Sequence, residues 1–215
     1  MSVVFVDVGV SLDGFLAGPN RGPGNPMGDG GIAIHEWLFA TATFRARCLG
    51  QHGGGERGAD DALVHGVFAR AGAYVMGRRM FDEGEVAWPG EAPFRAPVFV
   101  VTRHPRAPWV RPGGTTFRFV TDGFASALQQ ARAAAGGKDV RISGGADVVQ
   151  QALEAGVVDE LVLHVAPLLL GSGLRLFDGL AAAAFALEPT VASASGRVQH
   201  LHFRVRPAVA AARRS

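Results

Sequence analysis

The chain has 215 residues, 48% of them hydrophobic and 19% charged, with 21 Lys+Arg against 19 Asp+Glu and a single cysteine, Cys48. So even a charge balance, with the arginines dispersed, argues against a nucleic-acid surface or an anionic-membrane patch. One thiol excludes an internal disulfide and a Cys-rich zinc site and fits a reducing cytoplasm.

The length is that of one domain, which runs to ~100–200 residues and sometimes ~250. We place it at 1–207, with the basic small-residue tail 208–215 expected to fray. The first residues form a predicted strand, 3–10, interrupted by Asp7 and followed by Asp13, with no basic leader, so it does not read as a secretory signal. No uncharged apolar run approaches the ~18 residues of a membrane span. Residues 18–31, dense in Gly, Pro and Asn, read as a loop. A predicted helix over 32–44 carries Ile34, Leu38 and Phe39 on one face, and 50–58 is a second glycine-rich loop. A helix over 61–71 follows, with Asp60 and Asp61 at its N-terminal end, and then strands at 73–77, 97–102 and 116–120. Asp122 is placed to cap a helix over 123–135. A strand at 140–143 leads to a helix over 146–155, which Gly156 ends, and a strand follows at 160–166. The last two strands, near 185–193 and 197–206, include Leu201, Phe203 and Val205 alternating with His200, His202 and Arg204. Strands alternating with helices predict an α/β fold with a mostly parallel central sheet, flanking helices and an antiparallel C-terminal edge.

Several strand ends carry polar chemistry. Gly144-Gly145 separates the strand ending at Ser143 from the helix beginning at Ala146. Such a pair is either an ordinary turn or bare backbone on which a phosphate meets the free N–H groups of a helix N-terminus. It is not a Rossmann fingerprint. Gly77 leads into Arg78 and Arg79, and another strand runs into Thr102 and Arg103. Guanidinium forks suit phosphate, and ligands of open parallel sheets sit at the carboxyl ends of strands. Asp13, before Gly14, is either a turn residue or a carboxylate that anchors a polar ring or relays a proton.

The other candidates have structural readings beside functional ones. His35, Trp37 and Met27 read as a pocket mouth or as core, and His164 as a hydrogen-bonded core histidine. His200 and His202 share a strand face, on which they either bind metal or are simply the polar side. No metal is expected. Cys48 reads as inert and Asp178 as a turn residue.

The set Ser11-Leu12-Asp13-Gly14 with Ala17, Gly77-Arg78-Arg79, Thr102-Arg103, Ser143-Gly144-Gly145 and the stretch 159–179 resembles the dihydrofolate-reductase-like family. More narrowly, it is similar to stand-alone relatives of the reductase domain of bifunctional riboflavin-biosynthesis deaminase-reductases. The resemblance implies a dihydrofolate-reductase-like fold and NADPH as hydride donor to a small heterocyclic or unsaturated substrate. It implies that Gly144, Gly145 and Ala146 receive the diphosphate, and that Arg78, Arg79, Thr102 and Arg103 hold the adenosine side and its 2′-phosphate. Ala17 would lie by the nicotinamide and Asp13 by the substrate. Glu36, on the 32–44 helix, is the stand-in for the carboxylate that protonates folate-type substrates. A homodimer is implied as well, with the final strands able to pair across subunits. The chain departs from the pattern in two places. It lacks the deaminase zinc motif, and the Gly/Pro-rich loop 18–31 stands where riboflavin-pathway reductases carry an arginine-bearing segment for a sugar phosphate. A nucleotide- or flavin-binding module without turnover is the competing reading.

Overall fold

Strand β1, Val4–Ser11, is buried at every position, as a central strand covered on both faces must be. It lies in a computed structural model that describes residues 2–22, 24–181 and 185–207. The predicted tail, 208–215, lies outside the described residues. After β1 come the short β2, Phe15–Ala17, a 3-10 turn at Gly31–His35, and the helices α1, Glu36–Ala40, α2, Ala42–Cys48, and α3, Ala59–Arg70. Strand β3, Ala71–Gly77, passes directly into α4, Arg78–Glu85. Then follow β4, Pro97–Val101, β5, Trp109–Arg111, β6, Thr115–Val120, and α5, Phe124–Ala134. Strand β7, Asp139–Gly144, precedes α6, Ala146–Glu154, and β8, Glu160–Ala166. The short β9, Leu174–Arg175, pairs with β2, and β10, Phe185–Ala194, and β11, Gln199–Pro207, close the chain.

Nine strands form one sheet in the order β10-β11-β8-β1-β7-β3-β4-β6-β5. The six from β8 to β6 are parallel. The antiparallel β11 and β10 form the predicted C-terminal edge, and β5 adds a second antiparallel edge that the sequence did not announce.

The two sheet faces bury different cores. On one, Val4, Val6, Val8 and Val10 of β1 and Val140 and Ile142 of β7 pack against α5 and α6 through Leu128, Ala131, Val149 and Leu153. On the other, Phe5, Tyr74, Met76 and Val98 meet Phe81 of α4, Phe94 and Phe117. So α6, which follows β7, and α4, which follows the adjacent β3, lie on opposite faces. That reversal is a topological switch point, where open parallel sheets form their ligand crevice.

The predicted helix 32–44 is a correction. Thr41 is extended there (φ −71°, ψ 142°), and its hydroxyl donates to the Leu38 carbonyl and accepts from the Phe44 N–H, ending α1 and capping α2. Asp122 does not cap α5; Gly123 occupies that position with no side-chain cap. Among the described residues no helix is long and apolar enough to cross a membrane.

Candidate functional site

The register fixes where the parallel strands end together. Met76 pairs with Gly144 and Gly77 with Val101, while the Thr102 N–H donates to the Val120 carbonyl at 3.1 Å. Ideal Cβ placement at Gly77 puts that atom 3.6 Å from the Gly145 nitrogen and 3.2 Å from Val148 Cγ2. The two turns therefore touch, and a side chain at Gly77 would crowd Val148 at the start of α6. Gly77, Arg78, Thr102, Ser143, Gly144, Gly145 and Ala146 all lie on one rim.

Three helices start at this rim. α4, α5 and α6 begin at Gly77, Gly123 and Gly145, and none has a side-chain cap. Their first N–H groups and positive dipole ends are left for another acceptor. Gly144, at φ 120°, occupies backbone space that side chains rarely adopt. The peptide joining it to Gly145 is cis. Nothing lies within 4 Å of a Cβ built on Gly145, so the cradle is open at that point. Ser143 is 8% exposed and its hydroxyl has no hydrogen-bond partner among the described residues. Buried hydroxyls are almost always paired, so this one leaves a hydrogen-bonding position open at a rim of free N–H groups.

The arginines differ. Arg78 Nε donates to Asp82 at 2.7 Å, one turn along α4, and its guanidinium lies 5.9 Å over the Phe119 ring. Arg79 and Arg103 are exposed and make no ion pair among the described residues. Thr102 is buried, and its hydroxyl accepts from the His104 N–H at 3.1 Å.

The remaining expected residues sit elsewhere. Both Asp13 oxygens are engaged: the Ser11 hydroxyl donates at 2.6 Å, the Gly171 N–H at 2.7 Å and the Leu170 N–H at 3.1 Å. The Ser11 hydroxyl and those N–H groups hold the Asp13 carboxyl at about 2 against the opposing effect of desolvation, so it is an ionised acceptor at neutral pH. It clamps the loop after β8 to the end of β1. Ala17 is buried on β2. Glu36 is exposed at the start of α1, and no hydrogen bond joins it to the rim.

Sequence reasoning missed two polar arrangements. Arg21, in the loop 18–31, makes two 2.7 Å bonds to Glu83 of α4, with both side chains about 15% exposed (15% and 16%). The loop predicted as irregular is thus tied to the helix that begins with Arg78 and Arg79. No local pattern signals that pair. The second is a buried row on the face beneath α1 and α3, Arg141–Asp7–His164–His200–Asp60. His200 faces His164 and not a metal; among the described residues no group of three or more His, Cys, Asp and Glu could hold one. Cys48 is buried, and burial pushes its thiol up to about 12.

Comparison with known proteins agrees with this architecture. Residues 2–201 match the family described as the RibD C-terminal domain. No curated protein matches. A protein of Shewanella sp. PV-4, provisionally described as a riboflavin biosynthesis protein, shares 19% identity and a TM-score of 0.67 over 95% of this chain and 99% of its own. A Thermotoga maritima diaminohydroxyphosphoribosylaminopyrimidine deaminase/5-amino-6-(5-phosphoribosylamino)uracil reductase shares 16% identity with a TM-score of 0.57, over 96% of this chain and 56% of its own. Dihydrofolate reductase from Enterococcus faecalis, complexed with NADP(H), shares 12% identity with a TM-score of 0.52, over 94% of this chain and 96% of its own. At these identities the likeness is one of fold.

Proposed function

The chain belongs to the RibD C-terminal domain family and has a dihydrofolate-reductase-like fold, and on that premise we propose that it is an NADPH-dependent reductase acting on a small pterin- or pyrimidine-like or otherwise unsaturated substrate. One observation carries the reading: the uncapped starts of α4 and α6 meet at the β3–β7 switch point beside an open glycine cradle and an orphaned Ser143 hydroxyl. A diphosphate would complete those donors. When bound, the nicotinamide would supply the hydride.

The N–H groups of Gly144, Gly145 and Ala146, with the Ser143 hydroxyl, would hold the diphosphate. Arg79 and Arg103, exposed and without an ion pair among the described residues, would hold the 2′-phosphate, with Arg78, Gly77 and Thr102 shaping the adenosine side. Ala17 would lie by the nicotinamide. Asp13, ionised and fixed by three donors, would orient the loop over the substrate or accept a substrate N–H; it holds no proton to give at neutral pH. Glu36 would need to turn inward to deliver one.

The same proposal covers a single domain over 1–207, a cytoplasmic setting and a small-molecule partner rather than nucleic acid. A homodimer is part of it. Among the described residues β10 pairs only with β11, and Leu187 and Val191 on it are 37% and 56% exposed, an open apolar edge of the kind proteins cover.

The second reading, a binding module without turnover, is favoured by one feature: Asp13 is saturated and Glu36 points to solvent. Loss of NADPH absorbance with dihydrofolate, pyrimidinones and quinones separates the two. Steady oxidation with any of them is the expected result. Binding without oxidation would select the module.

A further inference from the structure

The row beneath α1 and α3 has a proton count that its geometry fixes. His164 Nε2 lies 3.2 Å from Asp7 Oδ2, and His164 Nδ1 lies 2.7 Å from His200 Nδ1. His200 Nε2 lies 3.3 Å from Asp60 Oδ1. A carboxylate that only accepts stands at each end of this line. Three hydrogen bonds between two carboxylates and two imidazoles need three protons, and two neutral imidazoles bring two. With two, either the rings face each other with bare nitrogens or a ring lone pair faces a carboxylate. The His164 and His200 side chains are each 3% exposed and Asp7 is 7% exposed, so water does not reach the ring–ring contact or the Asp7 end; Asp60, at the other end, is 24% exposed.

We propose that His164 and His200 share one excess proton, and that this single buried charge fastens α1 and α3 to the sheet. The inference stands apart from the reductase reading, since it concerns the state of the protein without ligand.

The charges close on this assignment. Arg141 and the histidine pair carry one positive charge each, and Asp7 and Asp60 one negative charge each. The Arg141 guanidinium donates to Asp7 Oδ1 at 2.9 Å. Burial works to raise the Asp7 carboxyl, but His164 and Arg141 outweigh it and bring it to about 2, so it stays an acceptor. Burial and then His164 push His200 down, which keeps the pair from charging twice. The arrangement that satisfies every ring nitrogen and both aspartates has His164 donating from both nitrogens. His200 is then neutral, accepting at Nδ1 and donating from Nε2 to Asp60.

The other ionisable groups facing the pair leave the count intact. His35, above β1, is held at about 4 by burial and is neutral above that. His202, on β11, is pushed down first by burial and then by His164. Glu160 is engaged by Arg70 at 2.8 Å, and Asp61 accepts from the Thr43 N–H at 2.6 Å.

The shared proton has structural reach. The Trp37 ring of α1 lies 4.7 Å from His164 and 5.0 Å from His200, centroid to centroid. Asp60 is in the first turn of α3. Two residues along β1 toward the rim, a Cβ built on Gly9 would lie 3.1 Å from His35 Nε2. The pair therefore holds the helices that overlie the end of β1.

The test counts protons in the full chain labelled with ring-15N histidine, at about pH 8, where free imidazole is neutral. The proposal predicts three protonated ring nitrogens over His164 and His200. Two would overturn it. In Asp60→Asn the side-chain amide can donate to His200 Nε2, so the excess proton is no longer required and the count falls to two with the fold kept. The wild-type count decides alone if the variant does not fold.

Discussion

The rim at the ends of β3 and β7 and the row beneath α1 and α3 are both polar, and they are built in opposite ways. At the rim, donors are left over: uncapped helix starts, the Ser143 hydroxyl, and the exposed Arg79 and Arg103. In the row every ring nitrogen and both aspartates have a partner within 3.3 Å, and Arg141 Nε alone is left without one among the described residues. Unsatisfied buried groups mark where a ligand completes the structure; satisfied ones mark where the structure completes itself.

Substitutions should separate the two regions. The largest expected effect is in the row. Asp7→Ala leaves Arg141 and His164 buried without their carboxylate and should cost roughly 3–5 kcal/mol in urea unfolding. Its signature in the wild type is in acid. A carboxyl held at about 2 stabilises fully above its unfolded pKa of about 4, and that contribution is lost as pH falls toward 2. The acid limb of the stability curve should lie there and should flatten in the variant.

At the rim the order reverses, with ligand affinity moving and stability not. Arg79→Ala with Arg103→Ala should reduce the preference for NADPH over NADH by about tenfold, close to 1.4 kcal/mol, while unfolding midpoints change by no more than ~0.5 kcal/mol. Equal losses for both nucleotides would break the assignment of these arginines to the 2′-phosphate. Smallest of all, Ser143→Ala removes a hydroxyl that bonds to nothing in the described chain. Stability should hold or rise slightly, while NADPH dissociation increases several-fold by calorimetry, the loss of one hydrogen bond of ~1 kcal/mol. A clear loss of stability would show that Ser143 belongs to the satisfied class.

The same contrast explains what could be read in the sequence. The rim was legible because its signals are local: an apolar run and a glycine leading into arginines at Gly77, and an apolar run, glycines and a helix start at Gly144-Gly145. The alternating β11 and the buried β1 were legible by period. The break at Thr41 was not, because threonine is only a mild helix breaker and the apolar positions Ile34, Leu38 and Phe39 keep their spacing across it. α4 was missed because Gly84 and its charges hide its one buried anchor, Phe81. β2 and β9 are three and two residues long, too short to show a period. The row was illegible in principle. Asp7, Asp60, Arg141, His164 and His200 come from five elements, and only the sheet order brings them together.

The claim on which the functional account turns is that the β3–β7 rim grips a dinucleotide. Titration calorimetry of the wild-type chain with NADPH tests it most directly. The account predicts one saturable site per chain, weaker for NADH and lost in Gly145→Asp, which would set a carboxylate in the open cradle. No heat of binding for either nucleotide, or undiminished binding in that variant, would contradict it.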